Sequence, residues 1–245
     1  MTKNKTIKTR IIATVILFGT ITFSACASVP SNSNTTSINV NKESNKPVPE
    51  KSRIVEANNG KVPAAVIDAG EFSENIYDYA KVKNWAKAEA KLNSLEKSVA
   101  ELKTANLATP KIIEIANSIG KAVKAKNQID AMRESNQSTF LIADLSAQFN
   151  PKVPVEVTKL DYYGREIEIW VINKDEAKLK QTVAAIRQTW NAVKPKMEAK
   201  GASKEEAKFE SLVVQAEKAV TIAEYSKVAM PILDEVDNLE KVFEK

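Results

Sequence analysis

Between Trp85 and Leu102 the apolar residues Trp85, Ala88, Leu92, Leu95, Val99 and Leu102 recur three and four positions apart, which gathers them into one stripe along a helix. Two further stretches repeat the pattern. Leu179, Val183, Ile186, Trp190, Val193 and Met197 form one stripe; Phe209, Val213, Ala216, Val220 and Ala223 form another, continued by Met230, Leu233, Val236, Leu239 and Phe243. A fourth stretch carries Ile115, Ile119, Ile129, Met132 and Phe140, but Lys126, Asn127, Gln128, Asn136 and Gln137 interrupt its middle. The pattern therefore predicts four long helices over residues 66–245 and an all-α body.

Boundary signals accompany the stripes. Asp68 with Glu71, Thr158 with Asp161, and Ser203 with Glu206 have the spacing of capping pairs, in which a side-chain oxygen accepts from an amide three residues on. Thr109-Pro110 offers a fourth start, because proline at the first helical position sacrifices no hydrogen bond. Asn150-Pro151 and Gly201 are stop signals. Helices bounded in this way run to roughly 36–41 residues, or about 55–60 Å at ~1.5 Å per residue. Similar lengths and short turns predict an antiparallel up-down-up-down four-helix bundle.

A faint internal repeat runs through the same region. Ala90-Lys91-Leu92 recurs as Ala177-Lys178-Leu179, and Lys121-Ala122-Val123 as Lys218-Ala219-Val220. Asn84 and Asp175 fall just before the corresponding stripes and mark candidate breaks. Two related helical hairpins would produce this pattern, and so would the shared Lys/Ala composition of the helices.

Upstream of residue 66 the pattern changes. From Ala27 to Val62 there are six serines and seven asparagines, with Pro30, Pro47 and Pro49 and no aromatic residue. Such a segment has too little apolar surface to offset its ordering entropy, so residues 26–65 are expected to be a disordered tether. As a flexible coil it would span roughly 30–35 Å. Residues 1–25 differ again: Lys3, Lys5, Lys8 and Arg10 precede the apolar run Ile11–Ala25, which ends at Phe23-Ser24-Ala25-Cys26. A basic start, an apolar stretch of about fifteen residues and small residues before a cut site make an export signal, short for a membrane span.

This N-terminus resembles that of bacterial lipoprotein precursors. Ser24 and Ala25 match the small lipobox positions, and Cys26 the lipid acceptor; Phe23 stands where that family usually carries an aliphatic residue. The resemblance implies cleavage before Cys26, a diacylglyceryl group on its thiol and acylation of the freed amine. Several acyl chains anchor a protein stably where one is marginal. It places the body on the extracytoplasmic side: the outer face of the cell membrane, or the periplasm and outer membrane where there are two membranes. The same residues, read alone, also fit secretion with Cys26 left free or an uncleaved N-terminal anchor.

Composition changes meaning once the signal is set aside. The whole chain carries 36 basic and 31 acidic residues, a formal charge of +5, but four of the basic residues lie in the signal, which leaves +1. A near-neutral body gives no electrostatic reason for a nucleic-acid partner. Cys26 is the only cysteine, so once lipidated it leaves no thiol for disulfides or catalysis. There is no histidine, hence neither the commonest general base nor the commonest transition-metal ligand.

Candidate chemistry concentrates in residues 161–170. If Leu160, Gly164, Ile167 and Val171 face inward, Tyr163 and Trp170 flank the seam while Asp161 and Arg165 form an i,i+4 pair on the outer side. Gly164 permits either close helix approach or room for a small ligand, which makes Tyr162, Tyr163, Gly164 and Trp170 the candidate ligand-binding residues, with Tyr77 and Tyr79 able to meet them. A di-iron bundle site needs Glu-x-x-His on two helices and is excluded; Asp234, Glu235, Asp237 and Glu240, the nearest carboxylate cluster, read as a solvated face. The layout resembles that of imelysin-like iron-uptake lipoproteins, whose histidine-containing motif is missing here, so that function does not carry over. No phosphate loop, nucleophile elbow or Ser/His/Asp set is present. The expectation is a non-enzymatic, lipid-anchored module without metal or cofactor that binds an envelope protein partner or acts as a scaffold. The alternative is a small-ligand-binding lipoprotein with a pocket between helices near Tyr162, Tyr163 and Trp170.

Overall fold

The computed structural model describes residues 61–244; the signal 1–25, Cys26 and all but the last few residues of the tether lie outside the described residues. The body is all-α, and no strand occurs among the described residues. Its helices are α1 (Ala64–Lys81), α2 (Trp85–Thr104), α3 (Pro110–Lys124), α4 (Gln128–Ser146), α5 (Val155–Asn173), α6 (Glu176–Ala199), α7 (Ser203–Lys218) and α8 (Ile222–Glu244), with a short 3₁₀ turn at Ala147–Phe149 between α4 and α5.

Each of the four long helices expected from the pattern is thus a pair of shorter ones. The corners are tight and lack glycine and proline at their breaks; at the last one the apolar phase shifts, so that Val220, Ala223 and Met230 of the expected stripe are exposed and Ala219, Tyr225 and Val228 are buried instead. At the first corner Lys83 takes a left-handed conformation (φ 56°) and the Asn84 side chain caps α2 by accepting from the Lys87 amide. Lys174 (φ 56°) and Asp175 do the same ahead of α6, Asp175 accepting from the Lys178 amide. Asn127 caps α4 through the Asp130 amide, so the polar interruption at 126–128 is a turn and not a weak helix centre. Before α8, Thr221 and Glu224 form a reciprocal capping box: the Glu224 amide donates to Thr221 Oγ1, while Glu224 Oε2 accepts from the Thr221 and Val220 amides.

Of the capping pairs read from the sequence, Thr109-Pro110 acts as expected, Thr109 accepting from the Ile112 amide at 3.3 Å. The other three do not cap. α1 begins at Ala64 after Pro63, and α5 begins at Val155 after Pro154, so Asp68 and Thr158 already lie inside helices. Each proline is itself the extended N-cap residue, its ring fixing φ at −59° in Pro63 and −56° in Pro154, and each helix starts there, ahead of the polar pair. α7 starts at Ser203 behind Ala202, without a side-chain cap, and Glu206 instead faces Lys194 at 3.6 Å. Gly201 stops α6 as expected, at φ 67°.

The helices pack in two sets. α1 lies against α2 and α4, and α3 against α2 and α4; likewise α5 lies against α6 and α8, and α7 against both of those. Each set has its own apolar core, one around Ile76, Leu95, Ile119 and Met132, the other around Leu160, Ile186, Trp190 and Phe209. The sets meet chiefly where α5 packs against α4.

Candidate functional site

α5 is buried on both faces. Gly164, Arg165, Glu166, Ile167, Glu168 and Ile169 are six consecutive buried residues, which no single amphipathic stripe produces. Leu160, Gly164 and Ile167 turn to the second core, as the inward register requires, while Ile169 enters the first. Asp161 and Arg165 do pair, at 3.0 Å, but they are buried, not on an outer surface: α4 packs on the face opposite the second core, and side chains of α1 reach across to it.

Arg165 is the centre of this joint. Its side chain is 2 % exposed; Nη2 meets Asp161 Oδ2 at 3.0 Å and Glu74 Oε2 at 3.2 Å, and the guanidinium lies over the Tyr77 ring. Burial by itself would lower the Arg165 pKa, but Asp161 and Glu74 outweigh it and hold the group firmly charged. One turn on, Glu168 accepts from Tyr77 Oη at 2.8 Å and from Lys81 Nζ at 2.5 Å. Burial, reinforced by that carboxylate, pushes the Tyr77 phenol well up, so it stays a donor. On the α4 side, Asn136 Nδ2 donates to the Tyr162 carbonyl at 3.0 Å and reaches Glu166 Oε1 at 3.4 Å; Trp170 Nε1 donates to Glu166 Oε2 at 2.6 Å.

The candidate residues divide accordingly. Tyr162 stacks against Phe140 and Tyr163 and donates to Gln137 Oε1 at 3.4 Å. Trp170 packs against both cores. Tyr77 joins the patch, whereas Tyr79 lies half-buried under Lys87. Gly164 stands where α8 comes closest: a Cβ there would fall 2.6 Å from Leu233 Cδ2, 3.0 Å from its Cγ and 3.4 Å from Ile232 Cγ2. The absent side chain is needed for close approach, so that side of the patch is filled. Gly164→Leu is expected to lower stability by roughly 1–3 kcal/mol, seen as an earlier urea midpoint. A later midpoint would show spare room beside Gly164.

Glu74, Lys81, Asn136, Glu166 and Glu168 were not singled out by the sequence. Asn136 carried the only available signal, as a polar residue on an otherwise apolar stretch. Burial pushes the Glu166 carboxyl above the ordinary value of 4.5, partly offset by the Trp170 and Asn136 hydrogen bonds. A carboxyl raised in the folded state contributes most below its unfolded pKa and loses that contribution as pH rises through the folded value. The stability of the parent protein relative to Glu166→Gln should therefore fall from pH 4.5 upward through the weakly acidic range and then level off. A difference constant across that range would remove Glu166 as a titrating member of the joint.

Among the described residues no group of three or more acidic, Cys or His side chains is placed to hold a metal ion, and no helix is long and apolar enough to cross a membrane. What the geometry does chemically is neutralise buried charge between two helix sets. Compared with known families, with curated proteins and with solved structures, the chain has no match.

Proposed function

We propose that this chain is a lipid-anchored extracytoplasmic module, non-enzymatic, built from up-down-up-down four-helix units on a flexible tether, which binds an envelope protein partner or serves as a scaffold. The observation that carries the reading is Phe23-Ser24-Ala25-Cys26 behind a basic start and an apolar run. The site supports it: the densest polar and aromatic patch is consumed in joining helices, with Gly164 packed against Leu233 and the charges paired with one another. Such a patch rigidifies a body and leaves its outer helix faces for a partner.

The test is Cys26→Ser in the native host grown with labelled palmitate. The parent protein incorporates label and sediments with membranes, whereas the variant does neither. Label retained by the variant would sink the lipidation at the base of the reading.

A second reading has an observation of its own. Asn136 Oδ1 is buried between α4 and α5 without a hydrogen-bond partner among the described residues, which favours a small polar ligand there, beside Tyr162, Tyr163 and Trp170. Native mass spectrometry of protein purified from the host separates the two readings: a mass excess lost on denaturation supports the ligand, and the bare polypeptide mass supports the scaffold.

A further inference from the structure

We infer that the body is a fused dimer of one four-helix unit, in which the equivalent helices α1 and α5 face each other across the joint, and that Glu74/Arg165 and Tyr77/Glu168 make each unit take the other as its partner. The first support is positional. A 91-residue step, the separation of both pairs, carries Lys83 and Asn84 onto Lys174 and Asp175, the same left-handed residue followed by the same cap. It also carries the core residues Val66, Ile76 and Leu95 onto Val157, Ile167 and Ile186, all of them buried. α6 then has 24 residues against 20 in α2, one extra turn. Beyond it the left-handed Asn106 corresponds to Gly201 and the α4 cap Asn127 to the α8 cap Thr221, a step that carries Ile115, Ile142 and Phe149 onto Phe209, Val236 and Phe243, all of them buried.

This alignment corrects the repeat read from the sequence. Lys121-Ala122-Val123 and Lys218-Ala219-Val220 are three residues out of register, since the caps of α4 and α8 align Asn127 with Thr221; Val123 is buried and Val220 exposed. Ala90-Lys91-Leu92 and Ala177-Lys178-Leu179 are one helical turn out of register, since the caps align Leu92 with Val183.

The second support is the way the units touch. Side chains at equivalent positions of two translated helices point the same way and cannot meet tip to tip. About a two-fold axis along the helices they point at each other, as in any isologous contact. Arg165 meets Glu74, and Glu168 meets Tyr77, through their terminal atoms at 3.2 and 2.8 Å, one turn apart on α5 and on α1. The two-fold relation is confined to α1 and α5: α4 packs along α5, whereas α8 only reaches α1 at the surface, where Lys81 Nζ lies 3.9 Å from Met230 Sδ. The residues on the axis are unlike. A unit paired with its own copy would set Glu74 against Glu74, or Arg165 against Arg165, so the charge difference directs unlike units together.

Interchangeability of the two charges, and of the units that carry them, is what this arrangement predicts. In the full chain, E74R sets a second guanidinium against Arg165, and R165E sets a second carboxylate against Glu74. The double variant E74R/R165E rebuilds the same triad, with the arginine presented from α1 to the introduced carboxylate and Asp161. Each single variant should reduce the folding equilibrium constant by about 100-fold or more, and the double should recover to within about 10-fold of the parent. When the two single variants are refolded together, first units should pair with second units in trans, because exchange restores opposite charge at both joints. Native mass spectrometry should then show a one-to-one dimer, while the parent and the double variant stay monomeric. A double variant no more stable than the weaker single, or co-refolded singles that remain separate monomers, would overturn the inference.

Discussion

Trp190→Ala should lower unfolding free energy by about 3–5 kcal/mol, among the largest losses a single truncation can cause here. Trp190 is fully buried in the second core, its ring 4.7 Å from that of Phe209, and Nε1 donates to Glu210 Oε2 at 2.8 Å. Truncation leaves a cavity between α6 and α7 and removes a bond that helps hold the Glu210 carboxyl below the ordinary range against the opposing effect of burial. Glu206→Ala, by contrast, should cost well under about 1 kcal/mol, because Glu206 caps nothing and only faces Lys194 across 3.6 Å near the surface. Urea melts of the two variants check the contrast. A near-neutral Trp190→Ala would mean that the α6 stripe is misplaced.

Arg165→Ala should be comparably damaging, also about 3–5 kcal/mol, for an electrostatic reason. The guanidinium is the cation between Asp161 and Glu74, and its removal leaves the buried Asp161 carboxylate facing Glu74 without it. It also strips the face of the Tyr77 ring. The loss should show as weakened coupling between the two helix sets, with a lower m-value and a broadened melt as the sets begin to unfold separately. Retention of a single sharp transition at the parent midpoint would show that Arg165 does not hold the joint.

The all-helical body was legible because apolar residues recur with helical period from Trp85 to Phe243. The stripe of α5 was legible too, in Leu160, Gly164 and Ile167. Two corners were legible as the candidate breaks Asn84 and Asp175, which cap α2 and α6; the other two were not. Lys83 and Lys174 adopt left-handed backbone without being glycine, and Asn127 caps α4 where the polar run 126–128 looked like a weak helix centre, so periodicity alone joins what the backbone divides. Thr221 and Glu224 had the spacing of a capping box, but the stripe running from Ala216 to Met230 masked it. The other face of α5 was unreadable for a different reason. Asp161, Arg165 and Glu168 look like a solvated side, and only the position of α1 and α4 decides that they meet Glu74, Tyr77 and Asn136 instead of water. The candidates Tyr162, Tyr163, Gly164 and Trp170 do gather on α5, yet their partners come from helices far along the chain.

The central claim is that this body hangs from a membrane by lipid on Cys26. Its most direct test is the intact mass of the protein extracted by detergent from host membranes. The account predicts a polypeptide beginning at Cys26, without residues 1–25, heavier than its sequence by a glyceryl group carrying two acyl chains, with or without a third chain on the amine. An unmodified polypeptide that begins at Met1, or at any residue other than Cys26, would contradict it.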